Sequence, residues 1–362
     1  MSAALNNISL DLHKLSGLLR KCGFERWRHC FCGSHAYTGE KVFFLVELFL
    51  INPGLSPSVI QCSKPEPLVG SLDTSELLMT FEPPASHSYV LVRVAAYGST
   101  PRVFTAIYPC KDFIATKKEI QIKDGAFFLD GKTLKGSFID QYCISWKLNV
   151  SRQSSFSTRS PDKGMFWNSS GTRAVFSGEI SIQNESYIVS PGASYGYIDK
   201  MWGKKLPCPF FHLSCSHMRS SITGMVLANS SFAIQGMYSD SFSVFSEIAT
   251  GDQVVRISQK KASGKPFFDC VASEDTLHWI VSSTYKGYLL DIDVFCKTSD
   301  MFVRTYPLPS DSMSELQVLG GTAGTGELRL YNRIGKNIEQ IEQVQLEDVI
   351  CEYGGLENLA SQ

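Results

Sequence analysis

The sequence has no excess of charge of either sign. Its 362 residues include 34 lysines and arginines against 35 aspartates and glutamates, which gives a formal net charge of −1. A chain that binds nucleic acid, or an anionic membrane by charge alone, usually carries a basic excess. The balance therefore predicts no nucleic-acid partner and favours a partner that is apolar rather than ionic.

The sequence also lacks a long apolar run and a secretory signal. Its longest apolar run, Val42–Ile51, is ten residues long and contains Glu47, whereas a helix that spans a bilayer needs about 20 residues. The first residues show no apolar stretch followed by a small-residue cleavage site. The 11 cysteines are odd in number and form no CxxC pair. We therefore expect a cytoplasmic chain with reduced thiols and no transmembrane segment, for which only peripheral contact with a membrane is open.

Helical patterns are scarce and strand patterns are frequent. Leucines at helical spacing between Leu12 and Leu19 predict one short helix within residues 1–23. Beyond it, segments rich in β-branched and aromatic residues recur, as in Ser88–Ala96 and Gln141–Val150. Short strands at even spacing, with almost no helix between them, are typical of antiparallel barrels and sandwiches. The sequence therefore predicts an all-β fold.

The chain is too long for a single barrel, so we expect two β-domains. Two polar segments, Ser151–Gly164 and Asn184–Ser194, are candidate boundaries. The second divides the predicted strands into comparable halves. We therefore expect one domain over residues 24–189 and another over 190–355, with the first polar segment as the alternative boundary or a loop within one barrel.

The first candidate site follows the predicted helix, in the segment Phe24–His29. On a strand, Glu25, Trp27 and His29 share one face, and the two arginines share the other. A carboxylate beside an indole, if it is enclosed, has its pKa raised and can donate a proton at neutral pH. The alternative is a structural strand whose tryptophan closes the bottom of a barrel.

The second candidate site runs along Ser194–Gly203 and extends to His212. Alternation on a strand divides its side chains between two faces, with Tyr195, Tyr197, Asp199 and Met201 on one and Gly196, Ile198, Lys200 and Trp202 on the other. Tyrosine and tryptophan at this density suit a large apolar ligand with one polar end. An acidic residue next to a basic one is common on exposed strands and by itself indicates no function.

Motifs along the chain resemble the tocopherol cyclase-like family. The segment Tyr197–Gly203 (YIDKMWG) is close to the family pattern Y-x-(D/E)-K-N-W-G, and Phe24–Trp27 (FERW) is similar to its F-E-G-W motif. Further similar segments lie between Gly164 and Gly178 and at Gly326–Tyr331. The resemblance extends over roughly residues 24–354 and is therefore global.

The resemblance implies two consecutive lipocalin-like β-barrels, over residues 24–189 and 190–355, without a metal or cofactor. Members of the wider group, which includes carotenoid hydratases, hydroxyneurosporene synthase-like proteins and pericyclic cyclases, act on large apolar polyenes or prenylated rings. The resemblance implies Asp199 or Glu25 as the catalytic acid. The side chains it implies for binding an apolar isoprenoid or lipid are Trp27, Tyr195, Tyr197, Lys200, Trp202 and His212.

Two departures from the family pattern bear on activity. Met201 stands where the family usually has Asn, and Arg26 stands where it usually has Gly. The retained acids favour an enzyme of the intramolecular lyase or isomerase type, which would cyclise or hydrate an alkene. The two departures favour a carrier of hydrophobic ligands on the same fold. A purely structural interaction module is the third alternative.

The remaining constellations favour ordinary structural roles. A cluster of possible zinc ligands comprises Cys22, His29, Cys30, Cys32 and His35, but its spacing does not match common zinc sites. Cys215 and His217 lack a third group that would make the thiol a nucleophile. The glycine-rich Gly320–Gly326 lacks the Lys-Ser/Thr of a phosphate-binding loop. We therefore expect no metal and no nucleotide.

Overall fold

The computed structural model describes residues 12–55, 88–98, 101–138, 143–157, 165–206, 208, 210–237, 241–259, 267–273, 275–309, 315–335 and 337–355. Strands dominate these residues, and they pair in antiparallel sheets. The predicted all-β fold class is confirmed.

The chain divides into two compact units, Met1–Leu206 with Pro307–Glu315, and Pro207–Tyr306 with Leu316–Gln362. The strands of the first unit are β1 (Phe24–His35), β2 (Lys41–Ile51), β3 (Tyr89–Tyr97), β4 (Arg102–Pro109), β5 (Phe113–Ala115), β6 (Ile120–Ile122), β7 (Phe127–Leu129), β8 (Thr133–Ser137), β9 (Ile144–Ser157), β10 (Met165–Ile182), β11 (Glu185–Val189) and β12 (Gly196–Gly203). The strands of the second unit are β13 (Phe210–Cys215), β14 (His217–Ser220), β15 (Ser231–Met237), β16 (Ser241–Thr250), β17 (Gln253–Gln259), β18 (Phe267–Ser273), β19 (Thr276–Tyr285), β20 (Tyr288–Lys297), β21 (Met301–Pro307), β22 (Glu315–Ile334) and β23 (Asn337–Gly354). Single 3-10 turns occur at Gly17–Arg20, Cys110–Asp112, Lys123–Gly125, Pro191–Ala193 and Thr298–Asp300.

The division between the units differs from the one expected at residue 190. Strand β12 belongs to the first unit, because it pairs with β1 and with β10. The second candidate site therefore completes the first sheet instead of beginning a new domain. A local loop signal could not show this, because the partners of β12 lie far away in the sequence.

The predicted N-terminal helix is wrong within the described residues. Only Gly17–Arg20 forms a turn, of 3-10 type, and residues 1–11 lie outside the described part of the chain. The leucines do not share a face, because Leu15 is buried in the first core while Leu18 is exposed. Gly17 has a positive φ of 55°, and Ser16 makes no side-chain capping bond, so nothing extends the turn into a helix.

The first sheet closes around a single core. Its strand order is β4-β3-β2-β1-β11-β10-β9-β8-β7-β6-β5, with β12 added beside β1 and β10. Strands β4 and β5 are the two ends of this order, and Phe113 on β5 packs against the apolar cluster in which Phe104 on β4 is buried. A sheet whose ends contribute to one cluster has curled into a barrel, as the sequence predicts.

The second sheet curls in the same way. Its order is β17-β16-β15-β13-β23-β22-β20-β19-β18, with β14 beside β23 and β21 beside β22. Ile257 on β17 and Cys270 on β18 lie in one buried cluster, although their strands are at opposite ends of the order. Each unit thus has its own core.

Strand β1 positions the candidate site. The ten residues from Phe24 to Gly33 are all buried, so both faces of this part of the strand are covered. β1 pairs with β2 on one side and with β12 on the other, and Trp27 lies opposite Leu48 and Lys200. Such a strand carries side chains into the barrel and out of it in strict alternation.

Gly196, at the start of β12, provides a test of how closely this strand packs. A Cβ at this position would lie 2.4 Å from Phe176 Cδ2 and 2.6 Å from the carbonyl oxygen of Ala174. We expect Gly196→Ala to lower the free energy of unfolding by about 1–3 kcal/mol because it overpacks the core, as measured by urea denaturation.

Gly192 is the matched control for this change. It lies four residues earlier, and a Cβ at this position would point into open space, with nothing within 4 Å. Gly192→Ala should leave the free energy of unfolding within about 0.5 kcal/mol of the parent protein. Equal stability of the two variants would contradict the packing described for β12.

Candidate functional site

The inward face of β1 and β12 carries a buried ion pair. Glu25 and Lys200 are fully buried and form a salt bridge inside the first barrel. The Nζ of Lys200 lies 4.7 Å from the ring centre of Trp27 and 5.4 Å from that of Trp202. The cation is therefore held by a carboxylate and by two indole faces, which attract it electrostatically. We call these four residues the inner cluster.

The segment before the first turn closes over the inner cluster. His13 Nδ1 lies 2.5 Å from Glu25 Oε2, and the backbone N–H of Lys14 donates to Glu25 Oε1 at 2.6 Å. Lys200 donates to the carbonyl of Leu12, and Leu15 is buried in the core. Residues 12–15 thus form a plug over this end of the barrel.

The ion pair with Lys200 and the contact with the plug together explain why Glu25 is ionised. Burial alone would raise the pKa of its carboxyl, but the charge of Lys200 and the contact with His13 together outweigh burial and lower it below the ordinary value. The expectation that enclosure beside an indole raises this pKa is therefore wrong. The sequence pattern shows Trp27 two residues away, whereas Lys200 and His13 are brought in by the fold.

A second group of buried charges lies on the opposite face of the same strands. Arg28 makes two hydrogen bonds to Asp199, from Nε to Oδ1 at 3.0 Å and from Nη2 to Oδ2 at 2.5 Å. Trp167 Nε1 donates to Asp199 Oδ2 at 3.0 Å, and the hydroxyl of Tyr197 donates to it at 3.1 Å. Arg26 Nη2 is 4.0 Å from the same oxygen. We call these five residues the outer cluster.

The outer cluster makes Asp199 an acceptor. A carboxylate that receives a bidentate guanidinium and two further donors is stabilised in its charged form. Burial, followed by the negative charge of Asp199, raises the pKa of Tyr197 well above its ordinary value, so the phenol keeps its proton. The arrangement can therefore orient donors around a fixed negative charge.

The structure separates the predicted site residues into groups. The inner cluster joins Glu25, Trp27, Lys200 and Trp202, while Asp199 and Tyr197 belong to the outer cluster. The two candidate acids thus lie on opposite faces and do not share one site, as their opposite positions in the strand pattern require.

Two predicted binding residues lie outside both clusters. Tyr195 is half-buried just before β12, with a φ of 37°, and Lys41 Nζ is 5.8 Å from its ring centre. His212 is buried on β13 of the second unit, where its Nε2 lies 3.0 Å from Ser214 Oγ.

Sequence reasoning missed the residues that complete each cluster. His13 was assigned to a helix, and Arg28 was noted only for its face. Trp167 lies in a segment that resembles the family, but its distance from Asp199 along the chain, 32 residues, hides the contact. Arg26, noted as a departure from the family pattern, lies beside Asp199.

Two cavities open in the first unit, away from the inner cluster. One of about 360 Å³ is lined by His35, Arg102, Tyr187 and their neighbours, at the far end of β1 from Glu25. The other, of about 490 Å³, lies beside Phe127 and Trp146.

Among the described residues, no group of three or more His, Cys, Asp or Glu is arranged to hold a metal ion. No helix in the described part of the chain has the length and apolarity to cross a bilayer.

Comparison with known proteins yields no family assignment. Neither a protein-family model nor a curated protein sequence matches the chain. The crystal structure of a candidate AttH protein from Nitrosomonas europaea aligns over 90% of this chain and 92% of its own, with 9% identity and a TM-score of 0.42. The crystal structure of CghA with Sch210972 aligns over 92% and 89%, with 8% identity and a TM-score of 0.43. Because both TM-scores are below 0.5, neither likeness supports a conclusion about this chain, and the family resemblance stays a prediction.

Neutralising Asp199 tests the outer cluster. Asp199→Asn would leave the buried guanidinium of Arg28 without its counter-charge. We expect the free energy of unfolding to fall by about 3–5 kcal/mol, measured by chemical denaturation. Asp124→Asn is the control, because Asp124 is exposed at a positive φ of 61°, which asparagine also adopts. A loss at Asp199 no larger than that of the control would contradict the cluster.

Lowering the pH tests the inner cluster. A carboxyl whose pKa is lower in the folded than in the unfolded protein stabilises the fold above its unfolded pKa, and this contribution is lost as the pH falls towards the folded pKa. The parent protein should therefore be more stable than Glu25→Gln at pH 7, and the difference should shrink as the pH falls below about 4.5. Denaturation of both proteins between pH 7 and pH 3 measures this, and a difference that does not change with pH would contradict the ionised state of Glu25.

Proposed function

We propose that this protein binds a large apolar isoprenoid or lipid in its first barrel, as its resemblance to the tocopherol cyclase-like family implies. The ligand has one polar end, which lies at the inner cluster, and its apolar part lies along the barrel interior. The function supported best is that of a carrier that holds such a ligand without converting it.

The observation that carries this proposal is the buried cation of Lys200 between two indoles. A hydroxyl or carbonyl oxygen of a ligand can accept a hydrogen bond from its ammonium group, while Trp27 and Trp202 contact the adjoining ring or chain. The inner surface beyond them is lined by apolar side chains such as Leu48 and Val46.

The plug occupies the place that the ligand's polar end would take. The carbonyl of Leu12 accepts from Lys200 as a ligand oxygen would, and Leu15 fills apolar space below it. Binding therefore requires the plug to leave, and a ligand compensates for the contacts that the plug loses.

The charge states favour binding over turnover. Protonation of an alkene needs an acid that holds a proton at neutral pH. Glu25 has a lowered pKa, and Asp199 is saturated with donors that stabilise its anion. Neither carboxyl is prepared as a proton donor in this arrangement.

One contact supports the second candidate function, acid-assisted cyclisation or hydration of an alkene. The imidazole of His13 is partly exposed and lies 2.5 Å from Glu25 Oε2, so it connects the carboxyl to solvent. In this reaction the Glu25 carboxyl, protonated from solvent by way of the His13 contact, would transfer its proton to one alkene carbon. A phenol or water oxygen would bond to the other carbon. The proton that this oxygen loses would return to the carboxylate.

The binding proposal predicts a specific role for Trp202. We expect a geranylgeranyl-substituted hydroquinone to quench the tryptophan fluorescence of the full chain on titration. Trp202→Ala should weaken its binding by about tenfold, because it removes an aromatic wall worth about 1.4 kcal/mol. Phe295→Ala, at an exposed aromatic of the second unit, should leave the affinity unchanged.

Two further measurements decide between the candidate functions. Leu15→Ser should tighten binding, because it weakens the plug that competes with the ligand. Extraction of the incubated probe should return it unchanged after hours. Product that forms with the parent protein and not with Glu25→Gln would establish the cyclase or hydratase instead, and equal affinities of the parent protein and Trp202→Ala would place the ligand elsewhere.

A further inference from the structure

Exposed aliphatic side chains gather at one end of the second unit. Six of them have between 46% and 66% of their surface exposed, and we call this set the apolar tips: Ile222, Met225, Val226, Val254, Ile334 and Ile338. Scattered exposed aliphatics are ordinary on protein surfaces, but a concentrated set indicates contact with an apolar partner.

Strand pairing places the apolar tips at the same end of the sheet. Ile334 and Ile338 lie at the β22–β23 turn, and Val254 is the second residue of β17, just after the turn from β16. The remaining three lie between β14 and β15, where the N–H of Ser221 donates to the carbonyl of Gln343 on β23 at 2.7 Å.

The connection between β14 and β15 is rigidly held, although its apolar side chains are exposed. Ser220 Oγ donates to the buried carboxylate of Glu342 at 2.8 Å, and it accepts from the N–H of Ile222 at 3.2 Å and of Thr223 at 3.1 Å. The N–H of Gly224 donates to the carbonyl of Ser220 at 2.8 Å. The loop thus presents its aliphatic side chains to solvent in a fixed geometry, which lowers the entropic cost of binding a partner.

Basic residues lie beside the apolar tips. Arg219 lies directly across from Val226, and Arg333 lies directly across from Ile338. Lys286 is exposed in the neighbouring turn, where the N–H of Arg333 donates to the carbonyl of Gly287. Aliphatic side chains with cations next to them suit a bilayer surface, because long basic side chains can reach lipid phosphates while the aliphatic groups insert.

We propose that this end of the second unit docks on a lipid bilayer, with the apolar tips inserted between headgroups and the cations beside lipid phosphates. The apolar tips lie on three separate turns. A fluid bilayer can accommodate all three turns because it does not need a surface of complementary shape. The acidic Asp252 and Glu339 lie at the same end, so the excess of positive charge is small. Apolar insertion therefore supplies most of the affinity, and zwitterionic lipid suffices.

Flotation of the full chain with vesicles tests this docking. We expect it to float with phosphatidylcholine vesicles and, more strongly, with vesicles that contain about one third phosphatidylserine. The double variant Ile222→Ser, Met225→Ser should reduce the partition coefficient by at least about tenfold, because both aliphatic side chains lose their insertion. The change Arg333→Gln should reduce only the gain that phosphatidylserine brings.

The control removes an equally exposed aliphatic side chain from the first unit. Ile188→Ser should float like the parent protein. Thermal unfolding of all variants checks that they fold alike. The proposal is overturned if the parent protein does not float with either vesicle, or if the double variant floats as well as the parent. It is also overturned if the apolar tips drive self-association in the absence of lipid, seen as a dimer that the double variant abolishes. The test does not involve the ligand proposed for the first barrel, so the two proposals fail independently.

Discussion

The burial of β1 on both faces is the constraint on which the first barrel depends. A strand with no exposed face has no position where a charge can remain in water, so every charged side chain on it requires a partner within the protein. Strand β12 supplies two of these partners from consecutive residues, Lys200 inward to Glu25 and Asp199 outward to Arg28. An acid next to a base in a sequence indicates no function by itself. Here Asp199 and Lys200 are adjacent because consecutive side chains of a strand point to opposite faces, so that β12 neutralises Arg28 on one face of β1 and Glu25 on the other.

The same pairing specifies the register of the two strands. A slip of β12 by one residue would turn Asp199 inward towards Glu25 and Lys200 outward towards Arg28, which would bring like charges together on both faces. The buried charges therefore select one alignment where apolar side chains alone would tolerate several. Glu47 and Arg93 form a similar pair between β2 and β3, with 2.6 Å between Arg93 Nη1 and Glu47 Oε1.

Local patterns predicted the parts of this structure that depend on neighbours in sequence. The all-β class and the faces of β1 and β12 follow from composition and from alternation, which are properties of short segments. The contacts of Asp199 with Arg28 join residues 171 positions apart, and no spacing rule reaches that far. The helix expected around Leu15 was wrong for this reason, because burial in a core built by distant strands decided its conformation. The division of the units after Leu206, which differs from the boundary expected at residue 190, likewise depends on the pairing of β12 with distant strands.

Because ion pairs are buried inside the barrel, the net charge of the sequence does not describe the charge of the protein surface. A net charge of −1 treats every lysine and glutamate alike, whether it is solvated or neutralised in a buried pair. Here several of the charges are consumed by pairs such as Glu25–Lys200 and Asp199–Arg28, which present nothing to solvent. The surface of the first unit is therefore less charged than its composition implies. The proposals of an apolar ligand for the first unit and of a bilayer for the second therefore rest on local features, the enclosed polar anchor and the exposed aliphatic side chains, and not on the net charge.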